Sequence, residues 1–271
     1  MDIKIILVYC LCADLLKAMN HREDPQCTMN DAEVMTTALV AALFFGGTYE
    51  RARELLQEQG YIPKMVSKSQ LSRRLQRLDH LFMILFQVLG ESFKELNAES
   101  VYVIDTLPVA VCDNIRIRRS KLYPDETYRG YQASKKRYFF GLKIHLLVTK
   151  DHQPVEFFLT PGSFSDTSGL ERFDFDLPVG AWVFADKAYN FYLVEDLLAE
   201  ADILLIPQRK ANSTRPLPPW LRALLAHYRN QVETAGSLIE RLLPKSIHAV
   251  TAKGFERKLM LFALASSINC L

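Results

Sequence analysis

Val101-Tyr102-Val103-Ile104-Asp105-Thr106 and, 81 residues later, Trp182-Val183-Phe184-Ala185-Asp186-Lys187 decide how this chain is read. Each opens with a short apolar run rich in β-branched and aromatic residues, the pattern of a buried strand. Each run ends on an aspartate. In an open α/β sheet ligands gather at strand ends, so two acids on adjacent strands point into one space. A third acid from a packed helix completes an oxygen-only cage suited to Mg²⁺ or Mn²⁺. Glu233 lies 47 residues beyond Asp186, in Tyr228-Arg229-Asn230-Gln231-Val232-Glu233, inside a long helical pattern. A strand-end aspartate also serves as a turn former or N-cap, and for either residue taken alone that reading stands beside the ligand one.

Around these two runs the pattern continues. Further β-rich stretches fall at 138–149, 155–159 and 203–206, and helical stretches at 190–201, 219–243 and 255–269. Strands followed by alternating helices and strands make a mixed α/β layer. Before residue 99 the periodicity is helical. Asn30-Asp31-Ala32-Glu33 reads as a capping box ahead of the apolar run 34–45, which Gly46-Gly47 ends. A helix over 49–59 is closed by Gly60 and Pro63. Ser67-Lys68-Ser69-Gln70 offers a second capping box, opening a helix with Leu71, Leu75 and Leu78 on one face and Arg73, Arg74 and Arg77 on another. Another helix covers 81–96. The expected organisation is a helical domain over 1–98 and an α/β domain over 99–271.

A length of 271 residues suits about two domains. At 49% hydrophobic and 24% charged residues the composition is that of a globular protein, not a disordered, collagenous or disulfide-scaffold chain. The formal charge of +2 hides an uneven distribution. Residues 64–77 carry five basic and no acidic side chains, and residues 113–143 carry nine basic and three acidic. A polarised charge map of this kind points to a polyanionic partner. The apolar stretch 3–16 is preceded by Asp2, interrupted by Asp14 and followed by no small-residue cleavage site, so it reads as a buried first helix. It is also too short to span a bilayer. Cys10, Cys12, Cys27, Cys112 and Cys270 form neither a CxxC pair nor a Cys/His cluster. That argues against a disulfide framework or a zinc site and fits a reducing cytoplasm.

Several residues carry two readings each. His145 alternates with Lys143 on an expected strand, so both face one way; they reach phosphate, or His145 is a satisfied core residue. Asp166 is a fourth carboxylate or a helix N-cap. Asp174 and Asp176 precede Pro178 in a turn-like setting. Lys187 follows the second aspartate directly and touches phosphate or is solvated. The tract 116–143 mixes Arg116, Arg118, Arg119, Lys135, Lys136 and Arg137 with Tyr123, Tyr128, Tyr131, Tyr138, Phe139 and Phe140. Basic residues interleaved with aromatics suit a surface that tracks a nucleic-acid strand. The helix after Ser67 is either a basic surface helix or the recognition helix of a helix-turn-helix.

These residues together resemble the DDE transposases of bacterial insertion sequences, most closely insertion-sequence family 982, a relative of the family 4 type. The resemblance covers nearly the whole chain. It rests on Val103-Ile104-Asp105, on Phe184-Ala185-Asp186-Lys187-Ala188-Tyr189, and on Arg229 with Glu233 four residues later. Tyr138-Phe139-Phe140-Gly141-Leu142-Lys143-Ile144-His145 and Pro161-Gly162-Ser163-Phe164-Ser165-Asp166 are also similar. The family 4 type has a Tyr two residues clear of the Arg and a Lys after the Glu. Here Tyr228 adjoins Arg229, and Glu240-Arg241 stands where the Lys falls, which leaves Glu240 as the alternative to Glu233.

The resemblance implies a ribonuclease H-like catalytic domain in which Asp105, Asp186 and Glu233 hold two Mg²⁺ or Mn²⁺ ions for cleavage and strand transfer. It further implies double-stranded DNA as partner, both the element's terminal inverted repeats and the target, with no membrane and at least a homodimer on DNA. Arg229 and the basic residues above would contact that DNA. The alternatives are a stand-alone nuclease of the same fold and a non-catalytic DNA-binding regulator.

Overall fold

In the computed structural model the described residues are 1–112, 114–132 and 136–271, with the side chains of 114–115 and 229–238 set aside. Lys135 therefore lies outside the described residues, as do the side chains of Arg229 and Glu233. The chain divides into two compact units, Met1–Val88 with Arg241–Ala249 and Lys253–Leu271, and Leu89–Glu240 with Val250–Ala252. This differs from the expected division at residue 98. The first unit ends ten residues earlier, and the chain's last helix belongs to it, not to the α/β unit.

The first unit contains α1 (Asp2–Ala18), α2 (Asp31–Phe44), α3 (Tyr49–Glu58), α4 (Lys68–Arg77) and the start of α5 (Asp79–Leu96). Both expected capping boxes form. Asn30 accepts from the Glu33 amide while the Glu33 carboxylate takes the Asn30 amide, and Ser67 and Gln70 repeat the exchange. Each satisfies amides that the first turn of a helix leaves unpaired. Gly46 and Gly47, at φ 54° and 74°, end α2 in a backbone region that L side chains seldom adopt.

Nine consecutive side chains of α2, Val34 through Ala42, are buried without a break, so the helix is covered all round. Such a helix belongs at the centre of its unit. The last helix of the fold, over Ala252–Asn269, has the same character from Leu261 to Ile268. Its Arg257 is buried and forms a two-pronged ion pair with Asp79 at the head of α5.

The second unit is a six-stranded sheet of β1 (Val101–Cys112), β2 (Arg129–Gln132), β3 (Arg137–Thr149), β4 (Pro154–Pro161), β5 (Trp182–Ala185) and β6 (Leu204–Pro207). It carries α6 (Asp166–Leu170), α7 (Tyr192–Glu200) and α8 (Pro219–Leu242); the Ala252–Asn269 helix is α9. β3 pairs antiparallel with β1 on one side and with β4 on the other, while β5 and then β6 extend the sheet in parallel beyond β1. This is the expected mixed sheet flanked by helices. Val101 to Ile104 are buried on both faces of this central strand, as a strand covered by helices on both sides requires. Among the described residues no single helix is long and apolar enough to cross a membrane.

Candidate active site

Asp105 does not end its strand. β1 continues to Cys112, still paired with β3, and Asp105 stands opposite Leu146 in that ladder. What ends is the parallel neighbour. The β1–β5 register runs from Val101↔Trp182 to Val103↔Phe184, and β5 stops at Ala185. Carrying that register forward two positions sets Asp105 across from Asp186. Burial changes at the same place: the four residues before Asp105 are buried, while Asp105 and Thr106 are half exposed and Asp186 is exposed. The two carboxylates thus share one opening at the edge where β5 leaves the sheet.

Each carboxylate is tethered by its own backbone. Asp105 Oδ1 accepts the Thr106 amide at 2.8 Å, and Asp186 Oδ1 accepts the Lys187 amide at 2.6 Å. The Asp186 contact also caps the 3₁₀ turn Lys187–Tyr189. So the N-cap and ligand readings are compatible for Asp186, since a cap uses one oxygen of two.

That turn ends at Tyr189, which it joins to Thr106 beside Asp105. Its ring is buried, and its hydroxyl meets the Thr106 hydroxyl. Burial raises the Tyr189 phenol well above its ordinary value, and the charges of Asp166, Asp105 and Asp186 push it the same way. The charges of three aspartates therefore act on one buried phenol. From Thr106 the polar chain continues to His145 Nδ1 at 3.3 Å and from His145 Nε2 to the Thr160 hydroxyl at 2.9 Å. Sequence reasoning missed Thr106, Tyr189 and Thr160. Thr106 and Thr160 carry ordinary hydroxyls within or beside apolar runs and gave no signal; Tyr189 stood in the Phe184–Tyr189 stretch that carries the resemblance, but without a role.

The structure corrects three expected DNA contacts. His145 is 0% exposed and stacks on Phe158 at 4.7 Å, and burial lowers its pKa to about 4. A neutral imidazole with no solvent-facing surface does not reach phosphate, so the core reading holds. Lys143 does share its face, as the strand period requires. Its ammonium, however, is held at 3.0 Å by Asp166 and at 2.8 Å by the Phe164 carbonyl. Asp166 is the first residue of α6, and its cap is Ser165. Arg74 is the third: it is largely buried, pairs with Asp31 and donates to the Met29 carbonyl.

The other predicted basic residues are at the surface. Arg73 and Arg77 are exposed on α4, Arg116, Arg118 and Arg119 on a 3₁₀ turn after β1, Lys136 and Arg137 at the head of β3, and Lys187 beside Asp186. β2, absent from the expected strands, pairs with β3 and sets Tyr131 against Tyr138, both exposed, with rings 5.0 Å apart. A cavity of about 650 Å³ nearby is lined by Arg118, Tyr123, Arg129, Tyr138 and Phe140, among others.

α8 carries the third expected acid. Trp220 lies 6.4 Å from Trp182, and Tyr228 stacks on Phe184 at 4.9 Å. Moving from Trp182 to Phe184 along β5 therefore corresponds to moving from Trp220 to Tyr228 along α8. Strand and helix run in the same direction, toward Asp186. Position 233 is five residues beyond Tyr228, about 7.5 Å of helical rise. Glu240, the alternative, is exposed near the end of α8.

The chain is similar to the piggyBac transposase in its synaptic complex with hairpin DNA, at 10% identity and a TM-score of 0.44, over 97% of this chain and 74% of that one. No match was found among curated proteins. The family model of the transposase DDE domain matches residues 96–245, more than half of the chain and the whole of the Asp105–Asp186 sheet edge and α8. The chain belongs to the family of transposase DDE domains.

Proposed function

We propose that this chain is an insertion-sequence transposase, of the family 982 type, that acts in the cytoplasm. In this reading it binds the element's ends, cuts them and joins them to target DNA. The observation that carries this reading is the parallel β1–β5 register, Val101↔Trp182 to Val103↔Phe184, which carried two positions further pairs Asp105 with Asp186. The direction of α8 along β5, toward Asp186, supports Glu233 as the third ligand, since it follows Tyr228 on that helix. DDE transposase domains use divalent metal ions, and an oxygen-only donor set fits Mg²⁺ or Mn²⁺.

When bound, a pair of such ions supplies Lewis-acid polarisation of the phosphodiester and a nucleophilic oxygen at neutral pH. The protein's own part is positional. The Thr106 and Lys187 amides fix the two aspartates, and the Tyr189–Thr106–His145–Thr160 chain ties β1 to the 187–189 turn. Exposed Lys187, Lys136, Arg137, Arg116, Arg118 and Arg119 carry the positive charge that offsets DNA phosphates. Arg229, on α8, contacts DNA as well in this reading. Arg73 and Arg77 on α4 serve the element's ends, and two copies of the chain hold two ends together.

The test is a strand-transfer assay on the element's end sequences with Mg²⁺ or Mn²⁺. Asp105→Asn and Asp186→Asn should each reduce cleavage and joining at least about a thousandfold while leaving DNA binding within a few-fold of wild type. Full activity in either variant would remove the carboxylate assignment. Cleavage without joining in the wild type would favour the stand-alone nuclease.

A further inference from the structure

We infer that His21, Glu23 and Asp31 form a mononuclear site for a divalent transition metal of the zinc class, in the turn between α1 and α2. One ligand atom from each of the three lies within 4.8 Å of the others, and among the described residues no other three His, Cys, Asp or Glu side chains are so grouped. His21 Nε2 stands 2.8 Å from Asp31 Oδ2. All three side chains are half-buried.

The outer contacts orient this set toward a common point. Asp31 Oδ1 is taken by the Arg74 guanidinium from α4, which leaves Oδ2 facing the imidazole. Glu23 Oε1 is taken by the Asp31 amide at 3.0 Å, which leaves Oε2 for an ion. Each carboxylate thus commits one oxygen to the scaffold and presents the other, the arrangement by which outer partners fix metal ligands. The backbone is pinned on both sides: the His21 amide donates to the Leu16 carbonyl at 2.9 Å, and the Asn30–Glu33 capping box fixes the start of α2.

One imidazole nitrogen with two carboxylate oxygens suits Zn²⁺, which accepts three protein ligands and a water, better than Mg²⁺ or Ca²⁺, which favour all-oxygen shells. The ion takes the place of the proton shared by Nε2 and Oδ2, and that proton leaves to solvent. Ligands about 2.1 Å from a tetrahedral ion are about 3.4 Å apart, so the pair opens by roughly 0.6 Å. The expected absence of a zinc site rested on cysteine spacing; this set holds no cysteine and is assembled by the turn of the chain. Because Arg74 binds both Asp31 and the Met29 carbonyl, the same turn anchors α4. Metal occupancy therefore stiffens the mount of the helix that presents Arg73 and Arg77. The site is independent of the Asp105–Asp186 pair and of the function proposed for it.

The experiment uses the metal-free full chain carrying Asp105→Asn and Asp186→Asn, which removes the competing acids. Zn²⁺ is titrated against a chelating dye in millimolar Mg²⁺, and Co²⁺ is followed by its visible absorption. One Zn²⁺ per chain, a tetrahedral Co²⁺ spectrum and a higher Tm on loading are expected. His21→Ala and the near-isosteric Glu23→Gln should each weaken Zn²⁺ binding by at least about tenfold and abolish the Tm rise, with unchanged circular dichroism before loading. Either of two results overturns the proposal. One is no stoichiometric Zn²⁺ binding, which would leave His21–Asp31–Arg74 a plain ion-pair staple. The other is binding that both variants retain.

Discussion

A single imidazole shows how burial overrides residue type. His145 looked suited to phosphate because of its chemistry and its place beside Lys143. In the fold it lies between Phe158 and α6, where a Cβ on Gly169 would overlap its ring. Only glycine lets α6 come this close. Burial is the main reason that the ring resists protonation until about pH 4, while an unfolded chain takes up the proton near pH 6.5. The folded pKa is the lower of the two, so this contribution to stability is complete above pH 6.5 and is lost as pH falls toward 4. The loss should be on the order of 3 kcal/mol. Proton NMR should show the His145 ring neutral at pH 5.5, and denaturant midpoints should fall between pH 6.5 and 4 less steeply in His145→Gln than in wild type. A His145 ring titrating near 6.5 would contradict the burial argument.

At the scale of an element, α4 separates three arginines that the sequence left equivalent. Helical spacing puts Leu71 and Leu75 inward and Arg73 and Arg77 outward. Arg74, one residue from each face, turns toward α2 and pairs with Asp31. Arg74→Ala should therefore destabilise the chain by about 2–4 kcal/mol, because it removes the guanidinium from a largely buried carboxylate and leaves it only His21. Arg73→Ala with Arg77→Ala should leave Tm within about 2 °C, since exposed substitutions rarely exceed ±0.5 kcal/mol. The same double variant should weaken end-DNA binding and make its salt dependence shallower by about two phosphate contacts. Thermal unfolding and fluorescence anisotropy at several salt concentrations separate the two effects. Unchanged DNA binding in the double variant would take α4 out of the DNA interface.

For the whole molecule, the decisive element is the one furthest along the chain. α9 is apolar on every side over its second half and belongs to the helical unit, together with Arg257, which holds Asp79. Phe262 is 0% exposed and lies against Gly47 at the end of α2. Phe262→Ala should cost about 3–5 kcal/mol through lost burial and the cavity left behind. Truncation after residue 250 should leave the 1–88 segment unfolded, as seen by circular dichroism and rapid proteolysis. A truncated chain with full helical signal would show that the unit closes without its last helix.

Local chemistry was legible without the fold. Both capping boxes, the Gly46-Gly47 stop, five of the six strands and most of the helices follow from spacings of a few residues, because caps, turns and periodicity act within one or two turns of chain. The two aspartates were legible for the same reason, each closing an apolar run. The sequence alone also carried the resemblance to DDE transposases, which the family match over residues 96–245 bears out at the level of the domain. What only the tertiary structure decided is which residues meet over long separations. It set β1 beside β5 in a parallel register, linked Thr106 to Tyr189 and His145 to Thr160, buried His145, paired Arg74 with Asp31, and returned α9 to the helical unit. None of these leaves a short-range pattern: burial and pairing depend on surfaces brought together from distant parts of the chain, and periodicity reports only the face a side chain occupies, not what covers it.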